Sequence, residues 1–289
     1  MQSKVFSQNK TLNLHGRLLD LNTPKVMAIL NITPDSFFGG SRFSDEKAIL
    51  QHVEKILHDG ASIIDIGGYS TRPGAQDIPE KEELHRVIAP IRSILKNFPN
   101  AVISIDTFRS GVAKAAVEEG ALLINDVSGG QADHQMFDVT AKLGVPYILM
   151  HMRGTPQTMT QQTVYENLIK EIMDYFHSKI NALQAKGVKD IIIDPGFGFA
   201  KTATQSFELL QHLDHLAYLE KPILAGLSRK SMIWKTLLTN PENALNGTTS
   251  LNTIALMKGA SLLRVHDVKE AVEVVKLIES LTQTASKTR

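Results

Sequence analysis

Short apolar segments alternate with amphipathic, helix-like segments along almost the whole chain. The apolar segments are rich in branched residues and only a few residues long, as buried parallel strands are. They are Val26–Leu30, Ile63–Ile66, Val102–Ile105, Leu122–Ile124, Tyr147–Met150, Ile191–Ile193, Ile223–Leu224 and Leu262–Val265. Eight such segments, with helical sequence between them, predict an α/β fold of the (β/α)8 TIM-barrel type.

Glycine marks where the helical pattern stops before several of these strands. The pairs are Gly60-Ala61, Gly120-Ala121, Gly144-Val145, Gly187-Val188 and Gly259-Ala260. Glycine suits this position because helices commonly end in a left-handed residue, which glycine adopts without a steric penalty. Ser44 is expected to cap the first of these helices. The apolar face of that helix is formed by Ile49, Val53, Ile56 and Leu57.

A short hairpin is predicted ahead of the first barrel strand. Thr11–Leu14 and Arg17–Leu21 alternate weakly around His15-Gly16, and their expected task is to cover the bottom of the barrel. A doubly wound open sheet would show the same alternation of strands and helices. Its phosphate-binding signature GxGxxG is missing after the first strand, where the chain reads Asn31-Ile32-Thr33-Pro34-Asp35, so the barrel is favoured.

Composition narrows the class of protein. The 289 residues, 43% of them hydrophobic, suit a single domain over 1–289, with a hairpin segment at 1–24 and a flexible tail at 282–289. The net charge is +1, so no long-range field favours a nucleic acid or an anionic membrane. Cysteine is absent, which excludes disulfides and thiolate chemistry. No apolar stretch suits a signal segment or a membrane span, and we expect a cytoplasmic protein.

Polar residues follow the predicted strands, where the active site of a barrel lies. They are Asn31, Asp106, Asn125, His151, Asp194, Arg264 and His266. Arg264 and His266 stand two positions apart and therefore face the same side of their strand, which indicates a diphosphate pocket. An internal ion pair of either residue with Asp267 is the alternative. His151 lies between Met150 and Met152 and is interpreted as a core histidine, since no metal-ligand spacing accompanies it.

Three loop motifs add candidate chemistry. Ser70-Thr71-Arg72-Pro73-Gly74 offers hydroxyls and a guanidinium for an anion or a carboxylate. Ser228-Arg229-Lys230-Ser231 follows the seventh strand, where barrels often bind phosphate, although an ordinary loop with capping serines would look the same. In the segment 194–199, the glycines would let the backbone approach a flat ligand, and Phe197 and Phe199 would line its binding site. The alternative is that Asp194 is only a turn residue.

These residues suit a 2-amino-4-oxo heterocycle. One ionised carboxylate accepts two parallel donors, the ring N–H and the exocyclic amine, while an asparagine or a lysine meets the remaining edge. The candidates for these roles are Asp106, Asn125, Asp194 and Lys230.

From about Val26 to about Leu281 the chain closely resembles the dihydropteroate synthase family. The resemblance is carried in order by Ile29–Phe37, Asp65–Gly68, Ser70–Ala75, Ser104–Thr107, Ile124–Val127, Asp194–Phe199, Ser228–Ser231 and Arg264–Val268. Each segment is a weak signal alone, but their conjunction at strand ends is specific. Two departures stand out: Tyr69 replaces a common glutamate, and Ala200-Lys201 replaces Gly-Lys.

The resemblance implies a transferase of folate biosynthesis. It would condense 6-hydroxymethyl-7,8-dihydropterin diphosphate with p-aminobenzoate, would be a sulfonamide target, and would form a homodimer. Asn31 would bind Mg²⁺ shared with the diphosphate, which Arg264 and His266 would hold. The other implied roles are pterin binding by Thr71, Asp106, Asn125, Asp194 and Lys230, contact with p-aminobenzoate by Phe199 and Ser228, and catalysis by Asp35, Thr71, Arg72 and Lys230.

Two rival functions remain at this point. A pterin-dependent methyltransferase of related barrel design would also read the pterin edge, but would have no use for Arg264, His266 and a metal-binding Asn31. A non-catalytic barrel that senses a phosphorylated metabolite would need the anion-binding residues alone. The polar connections 32–44 and 69–79 are further predicted to be mobile lids that become ordered when pterin and diphosphate bind.

Overall fold

The computed structural model describes residues 11–32, 42–70, 77–155 and 158–287. The strands are β1 (Thr11–Leu14), β2 (Arg17–Asp20), β3 (Lys25–Asn31), β4 (Ile63–Gly67), β5 (Ile103–Asp106), β6 (Leu123–Asp126), β7 (Tyr147–Met150), β8 (Ile191–Asp194), β9 (Leu224–Ala225) and β10 (Leu262–Val265). The α-helices are α1 (Arg42–His58), α2 (Glu80–Asn97), α3 (Ser110–Glu118), α4 (Met136–Leu143), α5 (Leu168–Ala185), α6 (Ala203–Gln211), α7 (Ser231–Thr236), α8 (Leu245–Met257) and α9 (Val268–Lys287).

The strands from β3 to β10 form one parallel sheet that curls into a barrel. Their order is β8-β7-β6-β5-β4-β3-β10-β9. A parallel bridge between Ile193 and Ile223 joins the two outer strands of this series. Helices lie between successive strands, as right-handed crossovers require. The predicted (β/α)8 barrel is therefore confirmed. Among the helices of the described residues, none combines the length and the apolar character that a membrane-spanning segment needs.

Two helix boundaries differ from the sequence-based prediction. Helix α1 begins at Arg42, so the expectation that Ser44 caps it is wrong. Serine is also tolerated within the first turn of a helix. It therefore indicates that a helix starts nearby more reliably than it indicates which residue is the N-cap. Helix α9 continues to Lys287, beyond the end expected near Leu281. The residues after Leu281 contain no glycine or proline, and the hydroxyl of Thr282 donates to the carbonyl of Ile278 within the helix.

An apolar layer closes the lower end of the barrel. Every barrel strand contributes one buried residue to it, or in the case of β5 the residue just before the strand; these are Met27, Ile63, Val102, Leu123, Ile148, Ile192, Leu224 and Leu262. The hairpin of β1 and β2 packs Leu12 and Leu14 against this layer, as predicted. The hairpin turns at His15 and Gly16, which have φ angles of 50° and 91°, as the tight two-residue turn of a hairpin requires.

Polar residues occupy the barrel interior above this floor. Side chains alternate between the two faces of a strand, so residues two and four positions after the floor residues also point inward. This places Asp65, Ser104, Asn125, Asp194 and Arg264 in the next layer, and Asn31, Gly67, Asp106 and His266 higher still. Most barrels fill these layers with branched apolar side chains. Here the upper interior holds charges, and it forms the candidate site.

Candidate active site

A guanidinium joins two carboxylates at the centre of the barrel. Arg264 donates from Nε to Asp65 Oδ2 over 2.6 Å and from Nη2 to Asp106 Oδ2 over 2.5 Å. Burial raises the pKa of Asp106 to about 7, with Asp65 adding to the rise and Arg264 opposing it. Burial by itself would lower the pKa of Arg264, but the two carboxylates outweigh that effect and raise it. Arg264 therefore stays charged, whereas Asp106 titrates near neutrality.

A second set of polar groups lies on the loop that follows β8. The backbone N–H of Gly196 donates to Asp194 Oδ1 over 2.8 Å. Burial raises the pKa of Asp194, and the charge of Lys230 opposes this. The Lys230 ammonium donates to the carbonyl of Phe197 and lies 4.1 Å from the ring centroid of Phe199. Burial lowers the pKa of Lys230 to about 8, so its ammonium group gives up a proton more readily than that of an ordinary lysine.

Lys201, to which no role was assigned from the sequence, contacts the same loop and the end of β7. Its Nζ lies 2.9 Å from His151 Nδ1 and 3.1 Å from each of the carbonyl oxygens of Gly196 and Phe199. Burial lowers the pKa of Lys201 to about 7. Burial, with the charge of Lys201, lowers the pKa of His151 to about 2. His151 is thus a neutral, 1% exposed histidine, which confirms the interpretation as a core residue.

The loop after β8 requires glycine at position 196. Gly196 has a φ of +68°, and a Cβ added there would lie 2.3 Å from the carbonyl oxygen of His151. Gly144 has nearly the same φ, +66°, but a Cβ there would meet nothing within 4 Å. We expect Gly196→Ala to lower the free energy of unfolding by about 2–3 kcal/mol more than Gly144→Ala, whose cost is the left-handed backbone alone. Urea denaturation of both variants measures this, and equal losses would contradict the close approach.

The end of β10 faces the loop after β9. Ser228 Oγ lies 3.0 Å from His266 Nδ1 and accepts the backbone N–H of His266 over 3.1 Å. Asp267 is held instead by Arg229, whose Nε and Nη2 donate to it over 2.9 and 2.7 Å. The alternative that Arg264 pairs with Asp267 is therefore wrong. The carboxylate partners of Arg264 are interior residues on β4 and β5.

Comparison with known proteins agrees with this geometry. A family model described as pterin binding enzyme matches residues 27–266. The dihydropteroate synthase of Escherichia coli K12 is 38% identical over 96% of both chains, and that of Haemophilus influenzae is 40% identical over 95% of this chain and 97% of its own. This chain belongs to the dihydropteroate synthase family.

Solved structures of the family superpose on nearly the whole chain. The Xanthomonas albilineans dihydropteroate synthase with 4-aminobenzoic acid has a TM-score of 0.87 and 38% identity, covering 94% of this chain and 98% of its own. The Yersinia pestis enzyme in a sulfonamide complex has a TM-score of 0.88 and 40% identity, covering 94% and 99%. The barrel described above is thus the fold of this family.

The structure brings together most of the residues that family resemblance selects. Arg264 joins Asp106 to Asp65, and Asp65 in turn accepts from Asn125. Lys230, which follows β9, reaches the loop after β8 that carries Asp194 and Phe199, and Ser228 contacts His266. Asn31 ends β3, and its Oδ1 lies 3.6 Å from where a Cβ of Gly67 would stand. Asp35, Thr71 and Arg72 fall outside the described residues, as do the greater parts of the two predicted lids.

Sequence reasoning gave no role to Asp65. This residue lies inside an apolar segment, whereas most of the polar candidates stand at the ends of such segments. A signal was present, because Asp65 stands two positions before Gly67 and shares its inward face. An ionisable residue in a buried strand needs a partner, and that need could have led to Arg264.

Tyr69 takes a structural place where the family commonly has glutamate. Its ring is 8% exposed and meets Phe108 edge to face, with centroids 4.9 Å apart. The guanidinium of Arg109 lies 5.3 Å from the same ring, and it donates to the buried carboxylate of Glu83 over 2.7 Å. The side chain at position 69 therefore packs against the loop after β5.

Proposed function

We propose that this protein is a dihydropteroate synthase, which joins p-aminobenzoate to 6-hydroxymethyl-7,8-dihydropterin diphosphate and releases diphosphate. The observation that carries the proposal is the pair of carboxylates, Asp106 and Asp194, which share one polar chamber in the upper interior of the barrel with Lys230 and Arg264. A relative from Xanthomonas albilineans, solved in complex with 7,8-dihydropteroate, is 36% identical with a TM-score of 0.84. The chamber matches the donors and acceptors of a pterin edge.

The pterin is held by complementary hydrogen bonds. Asp194 Oδ1 already accepts from Gly196, so Oδ2 keeps its full capacity for the ring N–H and the 2-amino group. Gly226 leaves room beside that oxygen, since a Cβ at position 226 would lie 3.8 Å from it. Lys230 donates to the pterin carbonyl, and Asp106 and Asn125 complete the polar wall. Thr71 contacts the pterin from the loop after β4.

Expulsion of diphosphate is the difficult step, because a multiply charged anion leaves a carbon atom. The positive charge of Arg264, together with the ring N–H of His266, stabilises the growing charge on the bridging oxygen. The Arg264 Nε and one Nη2 proton are used by the two carboxylates, which leaves Nη1 for the anion. Arg264 thus connects the pterin pocket with the diphosphate site.

A magnesium ion fits the residues of this site. Within the described residues, no three acidic, histidine or cysteine side chains lie close enough to hold a metal ion together. Mg²⁺ often keeps several waters and takes one or two protein oxygens plus substrate phosphates. The amide oxygen of Asn31 at the end of β3 suits that role, and the bound ion would neutralise charge on the leaving diphosphate.

The incoming aromatic amine needs little help from a base. It is neutral at pH 7, and its lone pair forms the C–N bond after the C–O bond has broken and the electron pair of that bond has left with the diphosphate. The pterin ring stabilises the positive methylene carbon between these events, and the extra proton leaves the nitrogen for water or diphosphate. Phe199 and Ser228 border the amine substrate, and the family resemblance also assigns catalytic roles to Asp35 and Arg72.

Turnover of both substrates with direct detection of diphosphate is the test of this function. We expect stoichiometric release of diphosphate and 7,8-dihydropteroate. Methyl transfer from a methylated pterin without diphosphate release would support the methyltransferase instead. Tight binding of the pterin diphosphate without turnover would support a metabolite sensor.

Pterin binding is expected to be strongest between pH 7 and 8. As the pH falls through about 7, Asp106 gains a proton and loses capacity as an acceptor. As the pH rises through about 8, Lys230 loses the proton with which it binds the pterin carbonyl. Calorimetry with 6-hydroxymethyl-7,8-dihydropterin measures this profile. Lys230→Met is expected to remove the fall in affinity at alkaline pH and to leave the fall at acid pH, whereas an alkaline fall that persists in this variant would contradict the role of Lys230.

We also propose that the protein is cytoplasmic and acts as a homodimer through the outer face of α8 and α9. These helices pack side by side, and they expose Ile254, Met257, Leu277 and Leu281. Exposed apolar side chains grouped on neighbouring helices are typical of association surfaces. We expect Met257→Glu to weaken dimerisation about tenfold or more. Analytical ultracentrifugation tests this, with Leu18→Glu as a control, since Leu18 is 69% exposed on the hairpin and Met257 is 66% exposed.

A further inference from the structure

Asp65 is a buried carboxylate to which the chemistry above gives no role. It is fully buried in the layer beneath Gly67 and Asp106 and is closed off from any ligand. Its Oδ2 accepts both Arg264 Nε over 2.6 Å and Asn125 Nδ2 over 2.9 Å. Among the described residues its Oδ1 has no hydrogen-bond partner. Burying a charge with one oxygen unsatisfied is costly, so stability does not account for this residue.

The contact with Asn125 settles the direction of a side-chain amide. A carboxamide has a donor end and an acceptor end of nearly the same size, and a half-turn about its last bond exchanges them. An ionised carboxylate can only accept. Asp65 therefore holds the NH2 end of Asn125, and the oxygen of that amide lies on the far side. Arg264 fixes the carboxylate in turn, because its Nε donates to the same oxygen.

We propose that Asp65 is a positioning residue that presents the acceptor end of Asn125 to the pterin. The inference rests on the pterin pocket proposed above and adds a determinant of specificity to it. Asn125 is 3% exposed and inward-facing, in the same layer as Asp194. With its oxygen presented, Asn125 joins Asp194 in accepting from ring N–H and amino groups. A 2-oxo analogue of the pterin would set an oxygen against these acceptors and be rejected.

The test compares two ligands and two variants. The ligands are 6-hydroxymethyl-7,8-dihydropterin and the compound in which oxygen replaces its 2-amino group. In Asp65→Ala the amide of Asn125 is free to turn, and we expect the preference for the amino compound to fall about tenfold, the equivalent of one hydrogen bond. In Asp65→Asn the Nε of Arg264 still requires an oxygen at the same place, so the preference stays near that of the wild type. Calorimetry gives both affinities.

The outcomes separate this inference from the proposed function. An unchanged preference for the amino compound in Asp65→Ala would overturn the positioning role. An equal loss of that preference in Asp65→Ala and Asp65→Asn would also overturn it, because it would show that only the charge of Asp65 matters. A wild-type protein that binds neither ligand would overturn the pterin pocket itself.

A measurement on the wild-type protein covers the case in which Asp65→Ala does not fold. Asn125 Nδ2 and Arg264 Nε each donate one proton to the same Asp65 oxygen. Each of these protons lies about 2 Å from that oxygen, so the two protons are within about 4 Å of each other. We expect a nuclear Overhauser effect between them that persists when the pterin binds. Its absence, or its loss on binding, would show that the amide faces the other way.

Discussion

Asp194→Asn is expected to weaken pterin binding by two to three orders of magnitude, about 3–4 kcal/mol. The carboxylate offers two acceptor oxygens, one of which is occupied by the backbone N–H of Gly196. An amide at this place has one oxygen to satisfy either Gly196 or the pterin, and its NH2 group meets the donors of the ligand. Calorimetry with 6-hydroxymethyl-7,8-dihydropterin gives the change in affinity.

Asp126→Asn is the matched control for that experiment. Asp126 is also a buried carboxylate at a strand end, but it points away from the barrel axis and accepts from Tyr147, Ser128 and Gly130 over 2.6–2.8 Å. We expect this variant to lose stability while keeping its affinity for the pterin. Equal losses of affinity in the two variants would mean that Asp194 supports the fold instead of the ligand. Near-normal affinity in Asp194→Asn would remove that residue from the pocket.

Arg264→Ala is expected to cause the largest loss of activity, about a thousandfold in kcat/KM. The substitution removes a charge that faces the diphosphate and leaves Asp65 and Asp106 without their shared cation. Breaking such a buried pair costs about 3–5 kcal/mol of folding free energy, partly relieved when Asp106 takes up a proton. Steady-state kinetics and urea denaturation measure the two effects. Arg264→Lys keeps the positive charge but cannot donate to both carboxylates in the geometry of a guanidinium. Relative to Arg264→Ala, it should restore more of the stability than of the activity.

Comparing His266→Ala with Arg264→Ala separates binding of the diphosphate from support of the pterin pocket. His266 contacts Ser228 and stands two positions after Arg264, one layer higher in the barrel. We expect His266→Ala to impair turnover of the diphosphate substrate while preserving affinity for a pterin without diphosphate. Arg264→Ala should reduce both, because Asp106 loses the partner that orients it. Equal loss for both ligands in His266→Ala would argue that this histidine also holds the pterin pocket.

The sequence by itself determined the barrel and the position of its active end. Eight apolar segments, each preceded or followed by an amphipathic helix, leave few other ways to bury so much apolar surface. The five helix-ending glycines all have positive φ angles between 66° and 107°, because the chain must turn there without a steric penalty. The polar residues at the strand ends meet in space because parallel strands bring their carboxyl ends to one edge.

Only the tertiary structure decided which side chains are partners. Asp65 and Arg264 are separated by 199 positions along the chain, and closure of the sheet between β3, β4 and β10 is what places them in contact. Local sequence offered Arg264 a nearer partner in Asp267, but strand alternation turns Arg264 inward and leaves that carboxylate to Arg229. The pKa of Asp106 near 7 follows from the same closure, since it is created by burial beside a second carboxylate. Alternation along a strand is a local property, whereas the neighbours it selects depend on how all eight strands close.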